Sequence, residues 1–208
     1  MKAGEPTFPL LAVSRLRMTV DGEGVTTLVA GAGCPLRCRW CINRKLLREA
    51  HAKSVTAEEL FERVRRDDLY FRATGGGVTF GGGEALLHAP FLAAFRARCG
   101  GDWRLYAETS LAVPRERVEL AVSCVDGFIV DCKELDPETY HAYTGGDEAL
   151  MEENLRLLLS LAGPERVLVR VPLIPEYNTP EAQRRSAEKL RAMGATRLEL
   201  FSYVVRNA

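Results

Sequence analysis

The sequence predicts an α/β fold, a parallel sheet of six βα units curled into part of a (β/α) barrel. Short runs rich in Val, Leu, Ile and aromatics alternate with longer amphipathic runs along the whole chain. Cap and turn residues stand at the joins between them. Polar and charged residues gather just past the ends of the β-rich runs, on the rim where such sheets carry their chemistry. The 208 residues suffice to bury a proper core and are too few for a barrel plus a sizeable second domain, so 1–208 is read as one domain.

Strands are expected at 26–30, 77–80, 104–108, 127–131, 167–171 and 197–202. Between the first two, Thr56-Ala57-Glu58-Glu59 has the form of a capping box, opening a helix with Leu60, Phe61 and Val64 on one face. Pro90 opens a helix through Arg98, and Pro114 opens one through Val122. Asp147 caps a helix through Leu161, and Thr179-Pro180 starts one that ends before Gly194. Right-handed crossovers then bring the carboxyl ends of all six strands to one rim. No internal repeat or low-complexity segment interrupts the pattern.

Composition excludes several function classes. Lys plus Arg equals Asp plus Glu at 28 each and the sequence pI is near 6.8, which argues against a nucleic-acid surface. No apolar run approaches membrane-spanning length, and residues 1–10 lack the features of a signal peptide. A cytoplasmic monomer with no membrane or nucleic-acid partner is therefore expected. The six cysteines do not read as a disulfide framework, because three are clustered as ligands. Cys99 and Cys124, at the ends of apolar helices, are expected to pack as small hydrophobes, and Cys132 to neighbour the site.

Two constellations carry chemistry. Cys34-Pro35-Leu36-Arg37-Cys38-Arg39-Trp40-Cys41 supplies three thiols and no histidine or carboxylate. Three thiolates suit a 4Fe-4S cluster with one iron left open to an outside molecule. A closed zinc site wants four ligands, and the nearest histidine, His51, has no paired partner; a redox pair or three buried thiols would leave the flanking glycines unexplained. The second constellation, Gly75-Gly76-Gly77-Val78-Thr79-Phe80-Gly81-Gly82-Gly83-Glu84, sets a strand before a glycine run that ends in a carboxylate. Such a strand end presents backbone closely to a ligand and a carboxylate to an ammonium; the alternative is a tight βα connection. Glu108-Thr109-Ser110, Asp131-Cys132-Lys133 and Arg170 stand at further strand ends, where alternate residues share a face.

The spacing C-x3-C-x2-C with an aromatic before the third cysteine resembles the radical S-adenosylmethionine (SAM) superfamily. Val20-Asp21-Gly22-Glu23-Gly24 followed by Thr27 to Gly33, and Cys41-Ile42-Asn43-Arg44, resemble the activating enzymes of glycyl radical enzymes. The resemblance implies the superfamily's open (β/α)6 barrel, with Cys34, Cys38 and Cys41 on a 4Fe-4S cluster. It implies that Gly82, Gly83 and Glu84 hold the SAM amino group and that Asp131 and Lys133 contact its ribose or carboxylate region; Trp40, beside the third cysteine, is read as packing on adenine or simply in the core. Arg170 is read as a contact to SAM or to the partner, or as an ion pair with a strand-end acid. Glu108 stands where many relatives have Asp, in the acidic set that can hold a monovalent cation beside SAM.

The implied activity is reductive cleavage of SAM with an electron from flavodoxin or ferredoxin, followed by hydrogen abstraction from a glycine of a larger glycyl radical enzyme. A radical SAM enzyme acting on a small metabolite or peptide is the alternative, and a non-catalytic Fe-S or zinc protein a third reading. Four departures from the family stand out. Ala85 replaces a proline, Val204 replaces a histidine near SAM, no ferredoxin-like insert with extra cysteines follows the first motif, and the chain stops soon after Val204, where a weaker or different partner grip is expected.

Overall fold

The computed structural model describes residues 4–18, 20–47 and 52–203; Val204 and His51 lie outside them. Its strands are β1 (Phe8–Met18), β2 (Val25–Gly31), β3 (Lys53–Val55), β4 (Gly77–Gly82), β5 (Arg104–Thr109), β6 (Gly127–Asp131), β7 (Val167–Leu173) and β8 (Arg197–Ser202). The helices are α1 (Ala57–Val64), α2 (Asp68–Thr74), α3 (Ala89–Cys99), α4 (Arg115–Val122), α5 (Pro137–Thr144), α6 (Glu148–Ala162) and α7 (Pro180–Ala192).

The strands form one sheet in the order β3-β1-β2-β4-β5-β6-β7-β8. The six strands β2, β4, β5, β6, β7 and β8 run parallel and are joined by five helical crossovers, so the expected partial barrel of six parallel strands is present. The expectation lacked β1 and β3, which pair antiparallel at one edge. Among the described residues no pairing joins β3 to β8, and the sheet stays open.

Local chemistry places the helices as expected. Thr56 caps α1 through both bonds of a capping box, its hydroxyl accepting from Glu59 N at 3.2 Å while the Glu59 carboxylate accepts from Thr56 N at 2.8 Å. Asp147 and Thr179 cap α6 and α7. On the outside α1 packs on α3, α3 on α4 and α4 on α6. Inside that layer Phe8, Phe80, Phe91 and Phe95 meet ring to ring at 5.1 to 6.2 Å. Gly31 makes room for this cluster, since a Cβ there would lie 2.4 Å from the Phe8 ring.

The turn between β1 and β2 tucks into the barrel. The Asp21 carboxylate pairs with Arg17, its carbonyl accepts from the Thr79 hydroxyl, and the Val20 carbonyl accepts from Arg170 on β7. Gly22 lies so close to Tyr106 that a Cβ would meet the ring at 2.7 Å. The Asp-Gly-x-Gly stretch is thus a plug between strands far apart in sequence. No helix among the described residues is long and apolar enough to cross a membrane.

Candidate active site

The cysteine loop leaves the end of β2 and is held from three directions. Arg37 N donates to Thr144 O at 2.7 Å and Arg39 N to Tyr143 O at 2.9 Å, which fastens the loop to the end of α5. Leu36 is buried there. The Arg44 guanidinium donates to the carbonyls of Cys38 and Arg39 at 2.8 and 3.0 Å, bracing the loop against itself. Asn43 Nδ2 donates to Gly82 O at 2.9 Å, joining the loop to the end of β4. The Cys-x-Asn-Arg stretch therefore works as a tie between the two constellations.

The glycines of β4 serve close approach of backbone to backbone. Gly83 N donates to Gly31 O at 3.0 Å and Glu84 N to Gly33 O at 2.8 Å, and a Cβ on Gly83 would stand 2.2 Å from Gly33 O. Gly82 has φ +86°, a conformation that favours glycine. The Glu84 carboxylate accepts from Thr109 Oγ1 at 2.6 Å and Leu86 N at 3.1 Å on one oxygen, and from Ser110 Oγ at 2.7 Å and Ser110 N at 2.8 Å on the other. Those four donors fill its lone-pair sites. In this arrangement the carboxylate fastens the β4 turn to the end of β5.

Both constellations open on one cavity of about 440 Å³, lined by the three cysteines, Gly82, Gly83, Glu84, Glu108, Asp131, Lys133 and Arg170 among others. Lys133 Nζ donates to Asp131 Oδ2 at 2.9 Å and to the Tyr203 hydroxyl at 3.0 Å. Burial works against its ammonium, yet Asp131 and Tyr203 outweigh it and hold the pKa well above the usual lysine value. Elsewhere on the cavity wall, Arg170 donates through Nε to Glu199 at 3.0 Å and through Nη1 to Glu108 at 3.3 Å. Burial, helped by Asp131 and Asp21, pushes the Glu108 carboxyl up to about 7 against the pull of Arg170. Glu108, placed in the acidic set that can hold a cation, thus pairs with Arg170 here, and Asp131 with Lys133.

Ten of the eleven predicted site residues line this cavity, and Trp40 does not. Its indole N–H donates to Pro175 O at 3.4 Å, across the loop that follows β7. Cys132 points into the core with no exposure, because strand alternation sends it opposite to Asp131 and Lys133. Cys124 is buried and Cys99 half-buried at helix ends. Sequence reasoning assigned no role to Asn43, Glu199 or Tyr203. For the last two a signal existed, since 199, 201 and 203 alternate along β8 and its extension and all line the cavity.

The donor set suits a multi-iron group better than one ion. Among the described residues no three His, Cys, Asp or Glu side chains close around a single metal ion, whereas three half-buried thiols line the same cavity wall. Burial pushes Cys34 up to about 11 and raises Cys38, with Lys133 pulling the latter down. Binding a cationic group there displaces protons from sulfur.

Residues 28–197 match the radical SAM superfamily. A pyruvate formate-lyase-activating enzyme of Clostridium pasteurianum is 30% identical over an alignment covering 88% of this chain and 77% of that one. A (2S)-3-sulfopropanediol dehydratase activating enzyme of Klebsiella oxytoca is 28% identical, covering 78% and 70%. Among solved structures, Streptococcus suis SuiB bound to S-adenosylmethionine superposes with a TM-score of 0.65 at 13% identity, covering 84% of this chain and 39% of SuiB. The chain spans less than half of that protein, and the likeness is one of fold. A 4Fe-4S cluster and SAM are the cofactors of the matched family. The match over most of the chain makes it a radical SAM enzyme, a member of the radical SAM superfamily with glycyl-radical-enzyme activating enzymes among its relatives.

Proposed function

We propose that this enzyme cleaves SAM reductively and takes hydrogen from a glycine of a partner glycyl radical enzyme, activating it. The observation that carries the reading is the convergence of the three thiols, the β4 glycine end and the Asp131–Lys133 pair on one cavity, in a chain whose relatives are named activating enzymes.

Cys34, Cys38 and Cys41 would hold the 4Fe-4S cluster. When bound, the cluster supplies the electron that splits SAM and leaves a radical able to abstract hydrogen from carbon. The protein's share is orientation. Lys133 commits two of its three N–H donors to Asp131 and Tyr203, so one remains for the carboxylate of the SAM methionine. The Gly82 carbonyl accepts once, from Asn43, and keeps a lone pair for the SAM ammonium. Glu84 acts on SAM by fixing that strand end. Asp131 faces the ribose, while the Arg170–Glu108 pair lines the same cavity. The unpaired margin between β3 and β8 leaves a side route for a glycine-bearing loop of a protein substrate, and flavodoxin or ferredoxin is the electron donor.

The test is anaerobic mixing of the reconstituted, reduced protein with SAM and a glycyl radical enzyme encoded beside it. A glycine-centred doublet in the EPR spectrum, growing in step with 5′-deoxyadenosine, is the expected result. Formation of 5′-deoxyadenosine with consumption of a small metabolite and no protein radical would transfer the function to the small-substrate class.

A further inference from the structure

The cysteine loop has a second, outward side. A groove of about 590 Å³ shares Cys34, Cys38, Cys41 and Leu47 with the inner cavity, and its other walls include Arg37, Arg39, Arg44 and His141. Arg37, Arg39, Arg44 and the nearby Lys45 are all exposed. The sequence holds no acid between Glu23 and Glu49, and among the described residues no acid lines the groove. Among the described residues none of these four cations has a carboxylate ion-pair partner, although the chain as a whole balances 28 cations with 28 anions. Arg44 is committed to two loop carbonyls, which leaves Arg37 and Arg39 as the uncommitted cations of the groove lining, with Lys45 beside it.

We propose that this arginine-lined groove is the docking surface of an acidic one-electron carrier protein. The inference rests on the radical SAM reading, which requires one electron from outside the thiol-held group. Cys99, Cys124 and Cys132 are scattered and buried or half-buried and offer no internal relay. The groove reaches the three thiols on a side other than the SAM cavity. A carrier seated there gives up one electron, its reduced flavin passing to the semiquinone, and the group held by the cysteines takes it; no proton or atom changes hands. Unpaired arginines around such a contact attract an acidic face and speed encounter, an effect that salt screens.

The test uses the reconstituted holoprotein and a double variant, Arg37→Gln with Arg39→Gln, neither residue having a part in holding SAM. Calorimetric binding of oxidised flavodoxin needs no turnover, so it reads the surface independently of SAM cleavage. The variant is expected to bind about tenfold more weakly, and wild-type binding to weaken as salt rises. With reduced flavodoxin the rate of 5′-deoxyadenosine release should fall in parallel, and with reduced methyl viologen, a small cation, it should match wild type. Unchanged flavodoxin binding in the variant, binding insensitive to salt, or an equal loss of rate with both reductants would overturn the proposal. So would a lower glycyl-radical yield under methyl viologen with undiminished 5′-deoxyadenosine, which would give the groove to the protein substrate. Absence of 5′-deoxyadenosine with either reductant, beside salt-dependent flavodoxin binding, would instead count against the catalytic reading and leave the surface standing.

Discussion

Glu84 shows how far a single side chain can be read from sequence. Its position after a glycine run pointed to the site, and it does line the cavity. What it does there depends on Thr109 and Ser110, at and just past the end of another strand, whose hydroxyls turn toward it only in the folded chain. Trp40 teaches the same lesson from the other side, because its partner Pro175 is far away in sequence and no local pattern announces the contact. Replacing Glu84 with Gln puts an amide donor against donors. The expected cost is about 1.5 to 3 kcal/mol of stability, as for a lost hydrogen bond to a charged group, read from urea denaturation, together with weaker SAM binding as the strand end relaxes. A variant as stable as wild type that nevertheless loses SAM would show the carboxylate touching the ligand itself.

At the scale of elements, the six parallel strands and five of the helices were legible because each has a local cause. Val-, Ile- and Leu-rich runs fix the buried strands, and Thr56, Asp147 and Thr179 mark helix starts by side-chain capping. β1 escaped notice because its regular alternation is broken. Its register with β2 shifts twice, and Leu16 takes φ +55°, so apolar and polar residues do not keep one period along it. β3 has only three residues, too few for any pattern. α5, which anchors the cysteine loop, is a short helix of mixed character whose meaning lies in its end carbonyls, those of Tyr143 and Thr144, which accept from the loop. Within the loop, Asn43 ties its far end to the strand rim at Gly82. Asn43→Ala should keep the iron content of the reconstituted protein and weaken SAM binding by about 1 kcal/mol, a typical net hydrogen bond. Iron analysis beside calorimetry checks this; loss of iron along with SAM would mean that the tie holds the loop itself together.

Across the whole molecule, Arg170 is where the barrel's parts meet: it joins β7 to Glu108 on β5, Glu199 on β8 and the Val20 carbonyl in the β1–β2 turn. Sequence showed a strand-end cation and left its partners open, because they come from three separate stretches brought together only by the pairing and curling of the sheet. This centre makes stability depend on pH with a definite sign. Glu108 has a folded pKa of about 7 against an ordinary 4.5, so the unfolded chain ionises first as pH rises. Stability from this group is full below about 4.5 and falls as pH rises toward 7. Arg170 partly offsets burial at Glu108; without it the carboxyl is raised further and the loss extends to higher pH. Arg170→Leu should therefore cost more at pH 8 than at pH 6, with about 2 kcal/mol expected at the higher pH for a lost charged contact. Adding Glu108→Gln should recover much of that difference and flatten the profile. Urea midpoints measured from pH 5 to pH 8 on the three proteins check it, and an Arg170→Leu penalty that is the same at every pH would show that the contacts to Glu199 and Val20, and not the neutralisation of Glu108, are what hold the barrel's inner end together.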